Sequence, residues 1–170
     1  MAEDENQKQN EQIIGRTSAT ERDPTTSDKF TFWVTDGVMV NPFDIVAGEH
    51  HNNSKTFGLV TSLEHRTDAV NHLANYISNN FGAVDEEPNT PRQGTTVAKA
   101  NVLSNTNDLY MPVENEKAVR FADEAGIQQA LGISEMPTER RIPAGIVRMS
   151  NGEEAVVHID RDYVLGPESA

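Results

Sequence analysis

Short segments in which apolar and polar residues alternate lie toward both ends of the chain, while the middle carries helical spacing. In the clearest segment, residues 29–35, Phe30 and Phe32 fall on one face of a strand. Near the other end Asn151-Gly152 separates two alternating runs, which is the strongest short-range signal for a β-hairpin. A parallel α/β protein would alternate strands and helices regularly. The pattern predicts a mainly β protein with inserted helices: a small β-barrel followed by or enclosing a short helical insertion.

The period of the apolar pattern also predicts the individual elements. Gly58, inside one strand segment, indicates a bulge or a close backbone approach. Residues 1–12 lack apolar residues after Ala2 and are predicted to be a disordered acidic tail before one domain, residues 13–170. Its helical insertion is expected at about 67–132. Strands are predicted at 13–17, 29–35, 43–49, 56–64, 95–103, 142–149, 153–159 and 163–165, and helices at 67–81, 114–125 and 126–132.

The charge of the chain disfavours nucleic acid and anionic membrane as direct partners. Its 27 acidic residues outnumber 14 basic ones, for a net charge of -13. Nucleic-acid binding relies on Lys and Arg to neutralise phosphates. The acidic, amide-rich start is unlike a secretory signal peptide, and no apolar run approaches the roughly 20 residues that cross a bilayer. The sequence predicts a cytoplasmic protein with no membrane partner.

The common catalytic motifs are missing from the sequence. It contains no phosphate loop, no dinucleotide-binding glycine pattern, no nucleophile elbow and no H-E-x-x-H zinc motif. Cysteine is absent, which excludes cysteine-ligated zinc. We therefore expect no catalytic residue, no cofactor-binding residue and no metal ligand within these residues.

The histidines and paired acids leave one alternative open, a stand-alone hydrolase that uses a metal or two carboxylates. His50 and His51 are expected on an exposed hairpin connection, and Asp68 and His72 in a solvated contact one helical turn apart. The sequence 139–141 (ERR) fits an internal ion pair or an anion on a neighbour. Paired acids, expected on the surface, occur at Glu86-Glu87, Asp123-Glu124, Glu153-Glu154 and Asp160/Asp162.

Three segments and the end of the chain resemble the amino-terminal barrel of HerA-type ATPases, the barrel shared with rotary ATP synthase subunits. The segments are IIGR at 13–16, FGLVT at 57–61 and RIPAGI at 141–146. The end, residues 158–170 with its Leu-Gly-Pro-Glu, is similar to the stretch that leads into the motor domain.

The resemblance implies a non-catalytic domain for assembly and partner docking. In that family a RecA-like motor, which binds ATP and Mg²⁺, follows the barrel, assembles as a hexamer and translocates DNA. The barrel would form part of a homo-oligomeric ring and dock a nuclease or other effector, often in antiphage defence. DNA would be engaged only through the motor, and the present residues would end just before it.

The candidate contact residues follow from the expected strand edges. Barrel closure is expected to bring residues 13–17 and 155–165 together, or to leave an edge open to a neighbour. An oligonucleotide-binding barrel is a second alternative, in which Phe30, Phe32 and Trp33 would stack on bases. The candidate interface residues are Ile13, Ile14, Trp33, Val156 and His158.

Overall fold

In the computed structural model, residues 12–83, 85–88 and 93–166 are described, and they form eight strands and three α-helices. The tail predicted at 1–12 lies outside the described residues except for Gln12. The strands are β1 (Gly15–Thr17), β2 (Lys29–Val34), β3 (Ile45–Glu49), β4 (Lys55–Thr67), β5 (Gly94–Asn105), β6 (Ala118–Phe121), β7 (Arg141–Arg148) and β8 (Glu154–Asp160). The helices are α1 (His72–Ser78), α2 (Glu124–Ala130) and α3 (Arg161–Leu165).

Six strands close into an antiparallel barrel in the order β1-β2-β5-β4-β3-β6, which confirms the predicted small β-barrel. The three-residue β1 completes the closure because it pairs with β2 on one side and β6 on the other. Gly15 lies opposite Val34 and Val119 in these two ladders. The expected meeting of residues 13–17 with 155–165 is wrong, since β6 occupies that edge and β8 pairs with β7 in a separate two-stranded sheet.

Side chains from one face of β2 fill the barrel interior. Phe30 and Phe32 are 1% and 0% exposed, whereas Trp33 points out of the barrel. Gly58 lies where the β4–β5 register shifts, and a Cβ there would sit 2.7 Å from Cε1 of Phe30. The bulge predicted as one reason for Gly58 is therefore confirmed, and the group that lies close to its backbone is the Phe30 ring, for which a larger residue would leave no room.

Strands β4 and β5 extend beyond their neighbouring strands and project as a two-stranded arm. The β3 ladder ends at Leu59 of β4, and the β2 ladder ends at Val97 of β5. Residues 65–67 and 94–96 therefore pair only with each other, and α1 follows beyond them. The helix predicted at 67–81 is too long, because the arm continues to Thr67 and α1 begins only after the Asn71 cap.

The helix predicted at 114–125 is wrong. Its alanine spacing fits a helix, but Ala118, Val119 and Phe121 are buried as β6, the strand that closes the barrel. Glu116 has a φ of +63°, which a right-handed helix does not permit. The helical insertion predicted at 67–132 thus contains two barrel strands, β5 and β6.

The carboxyl-terminal part is a hairpin packed beside the barrel through a second core. The predicted turn at Asn151-Gly152 is confirmed, and Ala155 of β8 packs with Ile127 of α2 against Phe57. The strand predicted at 163–165 is wrong, because the Asp160 carboxylate caps α3 there by accepting hydrogen bonds from two backbone N–H groups. In the part of the chain that is described, no helix has the length and apolar character needed to cross a bilayer.

Candidate docking surfaces

The outer face of the β7–β8 hairpin carries two exposed apolar side chains beside the Arg148–Glu154 ion pair. Val156 lies opposite Ile146 in the ladder, and the two side chains are 38% and 65% exposed. His158 follows on the same face, opposite Pro143, and its Nδ1 is buried without a hydrogen-bond partner. Among the described residues β7 has no strand partner other than β8. This hairpin face, with Ile146, Val156 and His158, is a candidate contact surface.

The candidate interface residues at the start of β1 differ in their exposure. Ile13 is 36% exposed at the entry to β1, but Ile14 is 1% exposed and belongs to the barrel core. Ile14 N–H donates to the carbonyl of Val119 at 2.9 Å, which fixes it inside the closed barrel. Ile14 therefore cannot contact a neighbour, because the edge that would have exposed it is paired.

Trp33 borders a cleft between the arm and the loop that follows β2. We call this the arm cleft, and its volume is about 720 Å³. One wall comes from Thr35–Asn41 and the other from the arm, with Trp33 between them. The side chains that line the arm cleft include Trp33, Asp36, Met39, Leu63 and His65.

Phe43 is an exposed aromatic that the sequence pattern placed in a strand. The strand predicted at 43–49 begins only at Ile45, because residues 41–44 form a tight turn. Phe43 has a φ of +77° and is 75% exposed, a strained conformation for a bulky residue. It borders a groove of about 520 Å³ whose floor includes Leu59 and Leu131. An Asn-Pro pair before an aromatic was the available signal for this turn.

The Asp44 carboxylate holds this turn against the hairpin. The residue is 4% exposed. Its Oδ2 accepts from the backbone N–H of Asn41 at 2.8 Å, and its Oδ1 accepts from that of Ser150 at 2.9 Å. One buried side chain thus links the barrel to the β7–β8 connection.

The histidines that were considered as metal ligands have other surroundings. His50 is 6% exposed, so its predicted surface position is wrong, and its Nε2 lies 3.2 Å from the carbonyl of Pro112. His51 instead lies 3.6 Å from the Glu114 carboxylate. A hydrogen bond from Lys117 lowers the pKa of Glu114. Across the described residues, no three His, Asp or Glu side chains are grouped so that they could hold a metal ion.

Each of the expected acidic pairs has a member with a hydrogen-bond partner, such as Glu86 with Asn80 and Glu154 with Arg148. Arg140 Nη2 lies 2.6 Å from Oδ2 of Asp160, and its Nε lies 3.2 Å from Oδ2 of Asp162. Asp123 caps α2, with Oδ1 accepting from Gly126 N–H at 2.8 Å. The internal ion pair considered for residues 139–141 is therefore present, and Arg141 binds the Met136 carbonyl at 2.9 Å.

The ion pair at Asp160 predicts a pH-dependent loss of stability. Burial raises the pKa of the Asp160 carboxyl. Hydrogen bonds from Arg140 and two backbone N–H groups lower this pKa by more than burial raises it, so the pKa lies below its ordinary value. A depressed folded-state pKa adds stability above the unfolded-chain pKa, and this is lost as the pH falls through the folded-state pKa. Asp160→Asn keeps a capping oxygen and removes the charge. It should melt below wild type at neutral pH, and the gap should begin to shrink below about pH 4 and close as the pH falls through the folded-state pKa.

Thermal melts of wild type and Asp160→Asn across a pH series would test this. Arg140→Gln should reproduce the neutral-pH loss, and the double variant should add little to it. A melting gap of constant size at every pH would contradict an ionic origin.

Two of the three residues predicted to stack on bases in an oligonucleotide-binding barrel are buried. Phe30 and Phe32 lie inside the barrel, and only Trp33 presents a ring to the surface. Stacking along a strand needs successive exposed rings. The described surface of β2 offers one.

No family model matches this chain, and a search of curated proteins found no match.

Proposed function

We propose that this chain is a non-catalytic assembly and partner-docking domain of a HerA-like, ATP-dependent DNA translocase. It would act in the cytoplasm with a nuclease or other effector, in the setting of antiphage defence. ATP, Mg²⁺ and DNA would be bound by the motor of the parent protein, since the present sequence has no phosphate loop. The homo-oligomer would be a hexameric ring.

The observation that carries this proposal is the exposed hairpin face beside a closed barrel. All six barrel strands have two neighbours within the barrel, so among the described residues they leave an edge free only where β4 and β5 extend beyond it. The hairpin adds two edges, because β7 and β8 each pair on one side only among the described residues. Its outer face carries Ile146 and Val156, large apolar side chains that a partner could cover.

The resembling segments support the same conclusion by their positions. Residues 13–16 enter and begin β1, and residues 57–61 lie in β4, so both build the barrel. Residues 141–146 lie in β7, a strand with a free edge. A barrel followed by an exposed hairpin strand fits a domain that contacts both neighbours and partners.

Association of the full-length protein across a salt series tests the proposal. The charge of -13 opposes self-contact, and salt screens that repulsion. We therefore expect association to strengthen modestly between low and physiological ionic strength, more so when the motor is attached. Sedimentation and light scattering on the 170-residue chain and on the full-length protein would measure it.

A variant on the hairpin makes the test specific. Ile146→Glu should abolish association, because it puts a charge at the centre of the apolar face. Leu103→Glu is the matched control, since Leu103 is also exposed but lies on β5. A full-length protein that stays monomeric at every salt concentration would refute the assembly function.

A further inference from the structure

The arm cleft contains a strand edge with no strand beside it. The β2–β5 ladder ends at Trp33 opposite Val97, and β2 itself ends one residue later. Residues 94–96 of β5 continue along the cleft and pair with β4 on their other side. Backbone N–H and C=O groups of successive strand residues point to opposite sides. Part of these groups therefore faces the cleft, where no described strand pairs with them.

The side chains beside this edge suit an amphipathic ligand. Trp33 is 38% exposed and Met39 is 73% exposed, and Leu63 lines the same cleft. At about 720 Å³ the cleft falls within the range of ligand sites, roughly 300–1,000 Å³. It has room for several side chains of an extended segment.

The charge of the cleft selects a basic ligand. Among the described lining residues Asp36 is the only carboxylate, and none is Lys or Arg. Arg92 precedes the lining residue Gln93 and lies outside the described residues. An aromatic face attracts a cation, and the negative potential of a chain with a net charge of -13 attracts it from a distance.

We infer that the arm cleft binds an extended, basic segment of a partner protein. The segment adds to β5 as a strand along residues 94–96 and places a Lys or Arg side chain between Trp33 and Asp36. Strand addition gives affinity through the backbone, while the pocket beside the edge reads the side chain. The inference rests on the proposed docking function and names the chemistry of the docked partner.

The chain carries its own reporter for this contact, because Trp33 is its only tryptophan. The probe is a blocked ten-residue peptide that alternates valine and arginine, titrated at about 0.15 M ionic strength. We expect a saturable change in Trp33 emission. Matched peptides with glutamate for arginine, or with proline for valine, should bind roughly tenfold more weakly or not at all. The glutamate peptide tests charge, and the proline peptide tests backbone pairing.

Two matched variants separate the cleft from general charge attraction. Asp36→Asn keeps a residue suited to the turn before Gly37 and should weaken binding of the arginine peptide several-fold. Asp108→Asn removes the same charge outside the cleft, at a φ of +53° that asparagine tolerates, and should leave binding unchanged.

Equal effects of the two variants, or equal binding of the arginine and glutamate peptides, would overturn the inference. A ten-nucleotide oligothymidine that changes Trp33 emission at the same salt would also overturn it, in favour of single-stranded nucleic acid. The peptide titration does not depend on self-association, so failure of the ring and failure of the cleft are distinguishable.

Discussion

Replacing Gly15 with alanine should lower the free energy of unfolding by about 3 kcal/mol, near the upper end for overpacking a native structure. A Cβ on Gly15 would sit 2.0 Å from the carbonyl oxygen of Trp33 and 3.0 Å from Cδ2 of Phe32. The carbonyl is backbone and cannot swing away as a flexible side chain could. Accommodating the methyl group requires β1 to move away from β2, and β1 is the strand that completes the barrel.

Chemical denaturation of the Gly15→Ala protein would measure the loss. Gly145→Ala is the matched control, because Gly145 also lies in a strand but a Cβ there meets nothing within 4 Å. The control should change the free energy of unfolding by no more than about 0.5 kcal/mol. Similar losses in both variants would show that glycine itself, rather than the approach of β2, sets the stability.

Strands with a regular alternation were predictable from the sequence. In β2 the buried residues Phe30, Phe32 and Val34 follow the period of two, so these core residues could be named in advance. The β7–β8 turn was equally clear, since Asn-Gly favours the positive φ that Gly152 adopts at +86°. In both cases local chemistry and the tertiary structure favour the same conformation.

Residues whose conformation depends on distant partners were not predictable. Ala118 and Val119 have neighbours that suit a helix, but closing the barrel requires a strand between β1 and β3. His50 is buried because residues near Pro112 cover it, a contact across 62 positions of sequence. Tertiary packing overrides local propensity at such places.

The candidate surfaces were predictable in part. Trp33 and Val156 were found because each is an outward residue of a regular strand, and both are 38% exposed. Phe43 was missed because its exposure depends on a positive φ within a turn. The arm cleft was missed because it exists only where β4 and β5 extend beyond the end of β2. The apolar pattern does not show this difference in strand length.

Replacing Asp44 with alanine should cost about 3 kcal/mol and loosen the hairpin from the barrel. The carboxylate accepts one hydrogen bond from Asn41 N–H and one from Ser150 N–H. Hydrogen bonds to a charged group contribute about 1.5–3 kcal/mol each, and alanine removes both. The Ser150 bond crosses from the barrel to the β7–β8 connection, so its loss should free the hairpin more than the barrel strands.

Thermal melting and amide hydrogen exchange would measure the two effects separately. Exchange in residues 141–160 should accelerate more than exchange in β2 or β5, since the barrel core does not include the hairpin. Asp36→Ala is the control, an exposed aspartate in the neighbouring turn, and should melt near wild type. Uniform acceleration across barrel and hairpin would mean that Asp44 stabilises the whole fold. Selective acceleration would identify Asp44 as the residue that orients Ile146 and Val156, and Asp44→Ala should then also weaken the self-association proposed above.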